Sequence, residues 1–376
     1  MEQEASGQAK RSEAIRRFSR QLVLEGVGQA GQQAWLRSSV AVIGRGQAAW
    51  IASRYLAAAG VKIAPESLER LELSAADSAD PLTEAQRGVE AARRKLLALL
   101  PHSEPFIESS TEPPLPGVTP TGRSSSFQDP LVVVVGAGGL GCPALLGLLW
   151  AGVRRVRIID DDVVDISNLP RQILYDRSDL GVPKVAAAKA ALKQLFVDAE
   201  IEAVRERLAP GNLERLFAGA DLVLEGSDNF PTKFRVNAAT RNLTIPAVIG
   251  GVIRYEGQTF TLAKERGLSA CYRCFFPQMP APGAIPTCST AGVLGPVAGA
   301  VALQQVAHGL ALLQEQVSPT AARSPREGAL DLYDGKAGRW TRLTGQANSD
   351  CPACGTEAND PSLLGSTEDT HGRCRE

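Results

Sequence analysis

The clearest hydrophobic pattern in the chain begins at residue 131. Residues 131–135 (LVVVV) are a continuous run of apolar, mostly β-branched side chains, which is typical of a strand buried on both faces of a parallel sheet. A glycine-rich turn follows at 136–141 (GAGGLG), then an apolar helix over 142–151 and a second buried strand that ends at Asp160. This order predicts the first βαβ unit of a nucleotide-binding sheet.

Helices and strands continue to alternate after this unit. The pattern predicts helices over 184–196 and 230–242, and strands over 221–225 and 247–250. We therefore predict an α/β fold with a Rossmann-like, doubly wound and mostly parallel sheet. Before this sheet, a helix is predicted over 89–100, and the Pro- and Ser-rich stretch 109–128 predicts a flexible linker.

The N-terminal part contains an internal repeat. Residues 40–46 (VAVIGRG) match residues 132–138 (VVVVGAG), and AGV at 59–61 matches AGV at 151–153 with the same offset of 92 residues. The helix over 89–100 also resembles 185–196 at a slightly larger offset. The first copy lacks two of the loop glycines and the acids after the second strand. A degenerate duplicated half-domain and two unrelated βα units are both open interpretations, and the continued match favours duplication.

Length, charge and composition narrow the class of protein. A chain of 376 residues is long enough for two or three domains. The formal net charge of -1 argues against a nucleic-acid binder. The apolar runs are too short for a membrane helix, and the first residues lack the apolar stretch of a secretory signal, so we expect a cytoplasmic protein.

Four of the seven cysteines form two Cys-x-x-Cys pairs, Cys271/Cys274 and Cys351/Cys354. In a reducing compartment such pairs usually bind metal, and four thiolates are the donor set of a structural, tetrahedral Zn²⁺ site. A redox dithiol is the competing interpretation. A further cysteine, Cys288, lies among loop-forming residues, where it is either a buried small side chain or an exposed nucleophile.

The glycine turn and the acids after it indicate a nucleotide. Glycines at this turn let the backbone approach phosphate, although a tight turn without ligand remains an alternative. An acid such as Asp160 at the end of the second strand can bind a ribose, which is compatible with an NAD- or FAD-dependent oxidoreductase. Asn168 and Arg171 are not expected in such an enzyme, because an arginine beside bound phosphates favours a triphosphate.

Two more charged residues are candidates for phosphate chemistry. Lys184 begins a predicted helix, where it opposes the helix dipole and so indicates an anionic partner; an ordinary surface lysine is the alternative. Asp228 follows a predicted strand, where a carboxylate can hold Mg²⁺ beside phosphates. The alternative for Asp228 is a helix N-cap, a role that Asn229 can share.

Together these motifs resemble the ThiF/MoeB/HesA adenylyltransferases of the ubiquitin-activating-enzyme-like superfamily. The resemblance covers roughly residues 129–356, together with RFSRQ at 17–21. It rests on GAGGLG, IIDDDVVDISNLPRQ, GVPK, GSDNFPTKFRVN, CYRCFF, TCSTAGVLGP and CPACG. It implies an enzyme that binds ATP and Mg²⁺ and adenylates the C-terminal glycine of a ubiquitin-like β-grasp carrier of the ThiS/MoaD type, for sulfur transfer or conjugation.

The resemblance also implies roles for individual residues. The nucleotide would be cradled by Gly136, Gly138, Gly139 and Gly141. The ribose would bind Asp160 or Asp162, and the triphosphate would meet Asn168, Arg171 and Lys184, with Gln172 nearby. Asp228 would coordinate Mg²⁺, and Cys288 matches a thiol that some members use for thioester or acyl-disulfide chemistry. Cys271, Cys274, Cys351 and Cys354 would bind Zn²⁺. Arg20 matches an arginine that reaches the partner's phosphates in homodimers of the family.

The chain departs from the family because the arginine motif leads into the degenerate loop. We therefore divide it into a degenerate half-repeat (1–108), a linker (109–128), an active adenylation domain with the zinc site (129–356) and a disordered tail (357–376). We expect Arg20 to complete the active site within one chain, so that a monomer is an alternative to a homodimer. Sulfur would come from another protein, a cysteine desulfurase or a rhodanese. A non-catalytic nucleotide-binding scaffold is the remaining alternative.

Overall fold

A computed structural model describes residues 2–73, 80–101, 129–262, 269–281, 284–286, 288–317 and 327–355. The predicted linker at 109–128 and the predicted tail at 357–376 lie outside these residues. The described chain forms two sheets, one of three strands in the N-terminal part and one of eight strands after residue 129.

The N-terminal unit is built on a small parallel sheet. Its elements are α1 (Glu2–Leu22), α2 (Gly28–Arg37), β1 (Ser39–Ile43), α3 (Gly46–Ala59), β2 (Lys62–Ile63), β3 (Glu69–Glu72) and α4 (Pro81–Ala98). The central strand β1 pairs in parallel with β2 on one side and with β3 on the other. Helix α4 begins eight residues before its predicted start, because Asp80 caps it by accepting hydrogen bonds from the backbone N–H groups of Leu82 and Thr83.

The large sheet holds the predicted nucleotide-binding unit. Its elements are β4 (Leu131–Val135), α5 (Gly141–Trp150), β5 (Arg155–Ile159), α6 (Lys184–Leu195), β6 (Glu200–Val204), α7 (Leu213–Phe217), β7 (Leu222–Glu225), α8 (Phe230–Leu243), β8 (Ala247–Ile253), β9 (Glu256–Leu262), α9 (Tyr272–Phe275), α10 (Cys288–Ala291), α11 (Gly295–Val317), β10 (Ala329–Asp334) and β11 (Arg339–Thr344). The strand order is β11-β10-β9-β8-β7-β4-β5-β6. Strands β8-β7-β4-β5-β6 are parallel, and β9, β10 and β11 add an antiparallel edge. The α/β, mostly parallel fold class predicted from the sequence is confirmed.

Four helices join the two units. In the N-terminal unit α4 packs along α3, and in the large unit α11 packs along α5; α4 and α11 then pack against each other. One hydrophobic core runs through this interface and includes Val89 and Leu96 of α4 together with Leu145 of α5 and Leu303 of α11. The two units therefore share a core, and the boundary between them is a buried surface.

Helix α4 packs differently from α6, the helix that its sequence resembles. Helix α6 packs against β6, whereas α4 packs against α3 and α11. Gly88 allows this close packing, because a Cβ there would lie 2.2 Å from the carbonyl oxygen of Ala48 in α3.

Helix α11 is long and apolar enough in composition to cross a membrane. However, 94% of its most apolar window is buried inside the protein. Its position against α5, β7, β8 and β9 identifies it as the central core helix of the large unit. Apolar composition alone does not separate such a helix from a membrane span.

Candidate nucleotide and metal sites

The candidate site lies at the carboxyl edge of the large sheet. Strands β5 and β6 extend from β4 on one side, and β7 and β8 extend on the other, so the strand order reverses direction beside β4. Ligands of open α/β sheets bind at such a reversal, outside the carboxyl ends of the strands. The glycine turn after β4, the acidic segment after β5 and the Asp228 loop after β7 all begin at this edge.

Within the glycine turn, Gly141 and Gly138 are glycines for different reasons. A Cβ on Gly141 would lie 1.9 Å from the carbonyl oxygen of Gly136, so only glycine closes the turn at the start of α5. In contrast, a Cβ on Gly138 would meet the side-chain nitrogen of Gln172 at 3.5 Å, an ordinary contact distance. The turn itself does not need glycine at 138. A glycine there leaves room for a ligand to approach the backbone.

The acidic segment after β5 holds the glycine turn and the lysine together. Asp160 accepts hydrogen bonds from the backbone N–H of Ala137 at 2.7 Å and of Asp162 at 2.9 Å. The Lys184 Nζ donates to Asp162 Oδ2 at 2.7 Å. Burial raises the pKa of Asp160 against the opposing charge of Lys184. Burial alone would lower the pKa of Lys184, but the carboxylates of Asp160 and Asp162 outweigh it and raise the pKa.

Asn168, Arg171 and Gln172 lie on a capped turn that faces the glycines. Asp165 and Asn168 form a capping box around the short 3-10 helix Ile166–Asn168. Arg171 donates to the carbonyl oxygen of Ser167 at 2.8 Å, and its Cγ and Cδ come within 3.5 Å of where a Cβ on Gly139 would lie. Gln172 is buried, and its Oε1 has no hydrogen-bond partner among the described residues. An unpaired buried acceptor beside the glycine turn fits a site that binds a polar ligand.

Asp228 is exposed at the carboxyl end of β7. The neighbouring Asn229, rather than Asp228, caps α8, since its Oδ1 accepts from the backbone N–H of Thr232 at 2.9 Å. The carboxylate of Asp228 is therefore not used as the helix cap. Its position at the sheet edge is one from which an oxygen ligand for a hard cation could be offered.

A buried ion pair fixes the loop that carries Asp228, and the sequence did not reveal it. Glu225 accepts from the backbone N–H of Ser227 at 2.7 Å and from Lys233 Nζ at 2.7 Å. Lys233 also donates to the carbonyl oxygen of Ser227 at 2.8 Å and to that of Gly250. Both side chains are buried, so each charge is satisfied by the other and by hydrogen bonds. The only sequence signal was a charged residue at the end of an apolar strand.

Tyr175 is a second residue that the sequence did not indicate. Its hydroxyl donates to the carbonyl oxygen of Ala137 at 2.7 Å and lies 3.2 Å from that of Lys184. It therefore links the glycine turn to the start of α6 from inside the protein. In the sequence Tyr175 is simply part of an apolar segment, and only the fold shows what its hydroxyl contacts.

The four paired cysteines come together in one cluster. Their sulfur atoms all lie within 4.8 Å of one another, and the neighbouring separations are 3.4 Å (Cys274 to Cys354), 3.6 Å (Cys271 to Cys351) and 3.9 Å (Cys271 to Cys274). Sulfur ligands of a tetrahedral Zn²⁺ are about 3.8 Å apart, given a bond length of about 2.3 Å. A disulfide needs about 2.05 Å, so the arrangement fits a metal and not a bridge.

The ionisation of the cysteine thiols also favours binding of a metal by this cluster. A hydrogen bond from Cys271 lowers the pKa of Cys351 to about 4 and contributes most to lowering that of Cys354 to about 6. The same interactions raise the pKa of Cys271. Asn237 of α8 supports the cluster, since its Nδ2 lies 3.8 Å from the sulfur of Cys271 and its Oδ1 accepts from the backbone N–H of Tyr272. Two thiols that ionise readily lower the cost of binding a cation.

Arg20 and Cys288 are less closely defined. Helix α1 packs on the 3-10 helix that carries Asn168, and Arg16 approaches Asp165 at 3.7 Å. The carbonyl oxygen of Arg20 accepts a hydrogen bond from the backbone N–H of Val293 at 3.3 Å. The side-chain Nε of Arg20 is buried and has no hydrogen-bond partner among the described residues. Cys288 begins the short helix α10, and its side chain lies outside the described part of the structure.

The fold and the site define the class: an α/β protein with a candidate nucleotide site at the strand reversal and a four-cysteine cluster that could hold a metal ion. The sequence signature of the ThiF family matches residues 122–353, more than half of the chain, and the chain belongs to this family. The resemblance noted in the sequence is thereby confirmed. The match begins after the N-terminal sheet, which is an addition to the matched region.

Individual relatives agree with this assignment, and one solved structure has a similar fold. The chain is 40% identical to the SAMP-activating enzyme E1 of Haloferax volcanii over 224 residues, which cover 60% of this chain and 80% of that protein. It is 40% identical to the sulfur carrier protein adenylyltransferase of Thermus thermophilus over 255 residues, which cover 66% and 91%. A crystal structure of Escherichia coli MccB with MccA-N7isoASN has a TM-score of 0.52 at 17% identity, covers 61% of this chain and 68% of that one, and shows likeness of fold alone.

Proposed function

We propose that the protein is an ATP-dependent adenylyltransferase that activates the C-terminal glycine of a ubiquitin-like sulfur-carrier protein of the ThiS/MoaD type. The observation that carries the proposal is the set of side chains placed around the glycine turn at one edge of the sheet. Arg171 lies beside Gly139, Lys184 pairs with Asp162, and the loop that carries Asp228 passes beside Gly136. The names of the ThiF-family relatives support the same activity. A hydride-transferring enzyme has no use for two cations placed for a triphosphate, and the family membership replaces the oxidoreductase interpretation.

The chemistry follows from the charges around the glycine turn. A carboxylate oxygen of the carrier forms a bond to the α-phosphorus of ATP, and the bond from that phosphorus to the pyrophosphate oxygen breaks. The products are an acyl-adenylate and pyrophosphate. The protein supplies position and positive charge: Arg171 and Lys184 stabilise the negative charge that moves onto pyrophosphate, and Asp160 or Asp162 binds the ribose. Gly136, Gly138, Gly139 and Gly141, with Asn168 and Gln172, bind the nucleotide.

Two metals belong to this proposal. The cluster of Cys271, Cys274, Cys351 and Cys354 has the donor set and spacing of a structural Zn²⁺ site. Asp228 is the residue that would hold Mg²⁺, a cation that neutralises phosphate charge. Its exposure at the end of β7 leaves the carboxylate accessible to a hydrated ion.

Exchange of labelled pyrophosphate into ATP tests the function directly. The purified protein with Mg²⁺ and a small β-grasp protein ending in Gly-Gly, encoded beside it, should catalyse exchange that depends on the terminal carboxylate. A carrier without its last glycine is the matched control. If no β-grasp carrier supports exchange while ATP still binds, the non-catalytic scaffold becomes the better interpretation.

Later steps involve a sulfur donor and, in our proposal, Cys288. The persulfide of a cysteine desulfurase or a rhodanese attacks the acyl-adenylate and AMP leaves, which gives an acyl disulfide between carrier and donor. The Cys288 thiolate then attacks the donor's sulfur, so that a disulfide between Cys288 and the donor forms and the carrier thiocarboxylate is released. Cys288→Ser should leave pyrophosphate exchange unchanged and reduce formation of the carrier thiocarboxylate, measured by intact mass. Equal thiocarboxylate yields from both proteins would remove Cys288 from the mechanism. A reducing, cytoplasmic compartment fits the unpaired thiols of the metal cluster.

A further inference from the structure

The N-terminal unit packs against the loop of the large unit that is proposed to bind the phosphates. Residues 170–173 connect the turn that carries Asn168 to the buried segment at Tyr175, and they include Arg171 and Gln172. Two consecutive residues of α3 are involved: Arg54 contacts the loop directly, and Tyr55 contacts the start of α11, which in turn lies against the loop. Helix α3 lies outside the region that matches the ThiF family.

Arg54 binds the end of this loop. Its Nε donates to the carbonyl oxygen of Ile173 at 3.0 Å and its Nη2 donates to the same oxygen at 2.5 Å. The guanidinium is half-buried and lies 5.5 Å from the ring of Trp50 in α3, which restricts its position. Two donors from a rigid, charged group on one carbonyl fix the backbone two residues after Arg171.

Tyr55 contacts the start of α11, and the start of α11 lies against the other end of the loop, at Pro170. The ring is fully buried and fills a slot over Gly295 and Gly299, where added Cβ atoms would lie 3.2 Å and 2.8 Å from the nearest ring carbons. A Cβ on Gly295 would also lie 2.8 Å from the carbonyl oxygen of Pro170. The start of α11 is therefore held between the ring of Tyr55 and the residue before Arg171.

We propose that Arg54 and Tyr55 are positioning residues by which the N-terminal unit fixes the loop that presents Arg171 and Gln172 to the triphosphate. Neither residue touches the nucleotide in this proposal. Arg54 holds the backbone after Arg171, and Tyr55 holds the backbone before it through the start of α11. The degenerate unit thus retains a role in the active site although its own loop has lost the nucleotide-binding residues. The proposal rests on the function proposed above.

Kinetic constants for ATP test this proposal with the full-length protein. Arg54→Met should raise the KM for ATP in pyrophosphate exchange, and the Kd for Mg·ATP measured by calorimetry, about tenfold, the effect of losing one charge-assisted hydrogen bond. Arg54→Lys should restore most of the affinity, because an ammonium can still donate to the carbonyl oxygen of Ile173. Arg37→Met, an exposed arginine at the end of α2, is the control and should leave both constants unchanged.

Two substitutions of Tyr55 test the proposal independently of Arg54. Tyr55→Phe keeps the ring and removes a hydroxyl that has no hydrogen-bond partner among the described residues, so the KM for ATP should not change. Tyr55→Leu leaves part of the slot over Gly295 and Gly299 empty, and the KM should rise. Thermal unfolding and zinc content of each variant show whether it is folded.

The outcomes separate positioning from folding. A purely structural role lowers the fraction of folded enzyme, which reduces the maximal rate and leaves the KM and Kd for ATP unchanged; that result would overturn the proposal. Unchanged constants in both Arg54→Met and Tyr55→Leu would overturn it as well. If the wild-type protein binds ATP but exchanges no pyrophosphate, the proposed function fails, whereas the calorimetric comparison still decides the role of Arg54 and Tyr55.

Discussion

At the scale of single residues, the site depends on carboxylates with different surroundings. Asp228 is exposed and, among the described residues, serves neither as a helix cap nor as a hydrogen-bond acceptor. Asp160 is held by backbone N–H groups of the glycine turn and of Asp162. The first arrangement fits a ligand for a cation, and the second fits a group that shapes the nucleotide pocket. Two predictions test this difference.

Asp228→Asn should lower pyrophosphate exchange at least about a hundredfold, because it removes the negative charge proposed to hold Mg²⁺ at the phosphates. The control is Asp161→Asn, which changes an exposed carboxylate on the neighbouring segment and should alter the rate about twofold at most. Initial rates at saturating ATP, with Mg²⁺ varied, provide the measurement. Similar rates for both variants would exclude Asp228 as the cation ligand.

The raised pKa of Asp160 predicts how stability depends on pH. An acid whose pKa is higher in the folded protein than its unfolded value of about 3.9 binds more protons when folded, so ionisation opposes folding as the pH rises. The free energy of unfolding of wild type, relative to Asp160→Asn, should therefore fall as the pH rises above about 4. Thermal or urea unfolding at several pH values measures this difference. A difference that increases with pH would contradict the assigned direction.

At the scale of elements, two contacts hold segments that are distant in sequence. Arg93 of α4 is buried and donates to the carbonyl oxygen of Gly335 at 2.8 Å and to that of Lys336 at 3.2 Å, in the turn between β10 and β11. Glu90 pairs with Arg93 and accepts from the hydroxyl of Tyr333. The last hairpin of the large sheet is therefore attached to the N-terminal unit.

Arg93→Ala should destabilise the protein by about 2–3 kcal/mol, because two buried carbonyl groups lose a charged donor and a long side chain leaves a gap. Arg94→Ala, at the next position on the exposed side of α4, should cost less than about 0.5 kcal/mol. Urea unfolding followed by tryptophan fluorescence measures both. Equal losses would mean that Arg93 contributes no more than a surface arginine.

The cysteine cluster joins the segment at 351–355 to α9. Cys351→Ser should remove most of the bound zinc and destabilise this segment, since a structural metal supplies folding energy to the ligands that it connects. Metal content by mass spectrometry and protease sensitivity at the C-terminal side provide the measurements. Cys142→Ser changes a buried cysteine outside the cluster and should leave the zinc content unchanged. Full zinc occupancy in Cys351→Ser would contradict the four-thiolate site.

At the scale of the whole molecule, the N-terminal unit arranges its strands and helices as the core of the large unit does. Strand β1 lies between β2 and β3 as β4 lies between β5 and β7, and the helix pairs α3/α4 and α5/α11 face each other across one core. Helix α1 of the same chain reaches the turn that carries Asn168. This arrangement leads us to propose that Arg20 acts on the phosphates within its own chain.

Mixing Arg20→Ala with Asp228→Ala tests this proposal. Each variant alone should be inactive in pyrophosphate exchange, and the mixture should remain inactive, because every site then lacks either Arg20 or Asp228. Recovered activity would show that Arg20 acts between chains. Light scattering on the same samples establishes whether the variants assemble, so that a negative result is not due to dissociation.

The sequence by itself determined the large parallel sheet, the glycine turn at its carboxyl edge and the four cysteines that come together in one cluster. These features depend on residues that are close together in the sequence. A buried strand needs a run of β-branched residues, and a tight turn needs glycine. The spacing of each Cys-x-x-Cys pair can be read directly from the sequence. The predicted strand at 131–135 and the helix starts at 184 and 230 agree with the structure. The antiparallel strands β9–β11 were not predicted.

Only the tertiary structure decided how these parts are joined. The pair of Glu225 with Lys233, the hydroxyl contacts of Tyr175 and the contact of Arg54 with Ile173 connect residues whose roles depend on the packing of several elements. Helix α4 resembled α6 in sequence, but Gly88 and the shared core placed it opposite α11. Such contacts depend on burial and on distances across the core, and amphipathic periodicity specifies which face is buried but not which partner covers it.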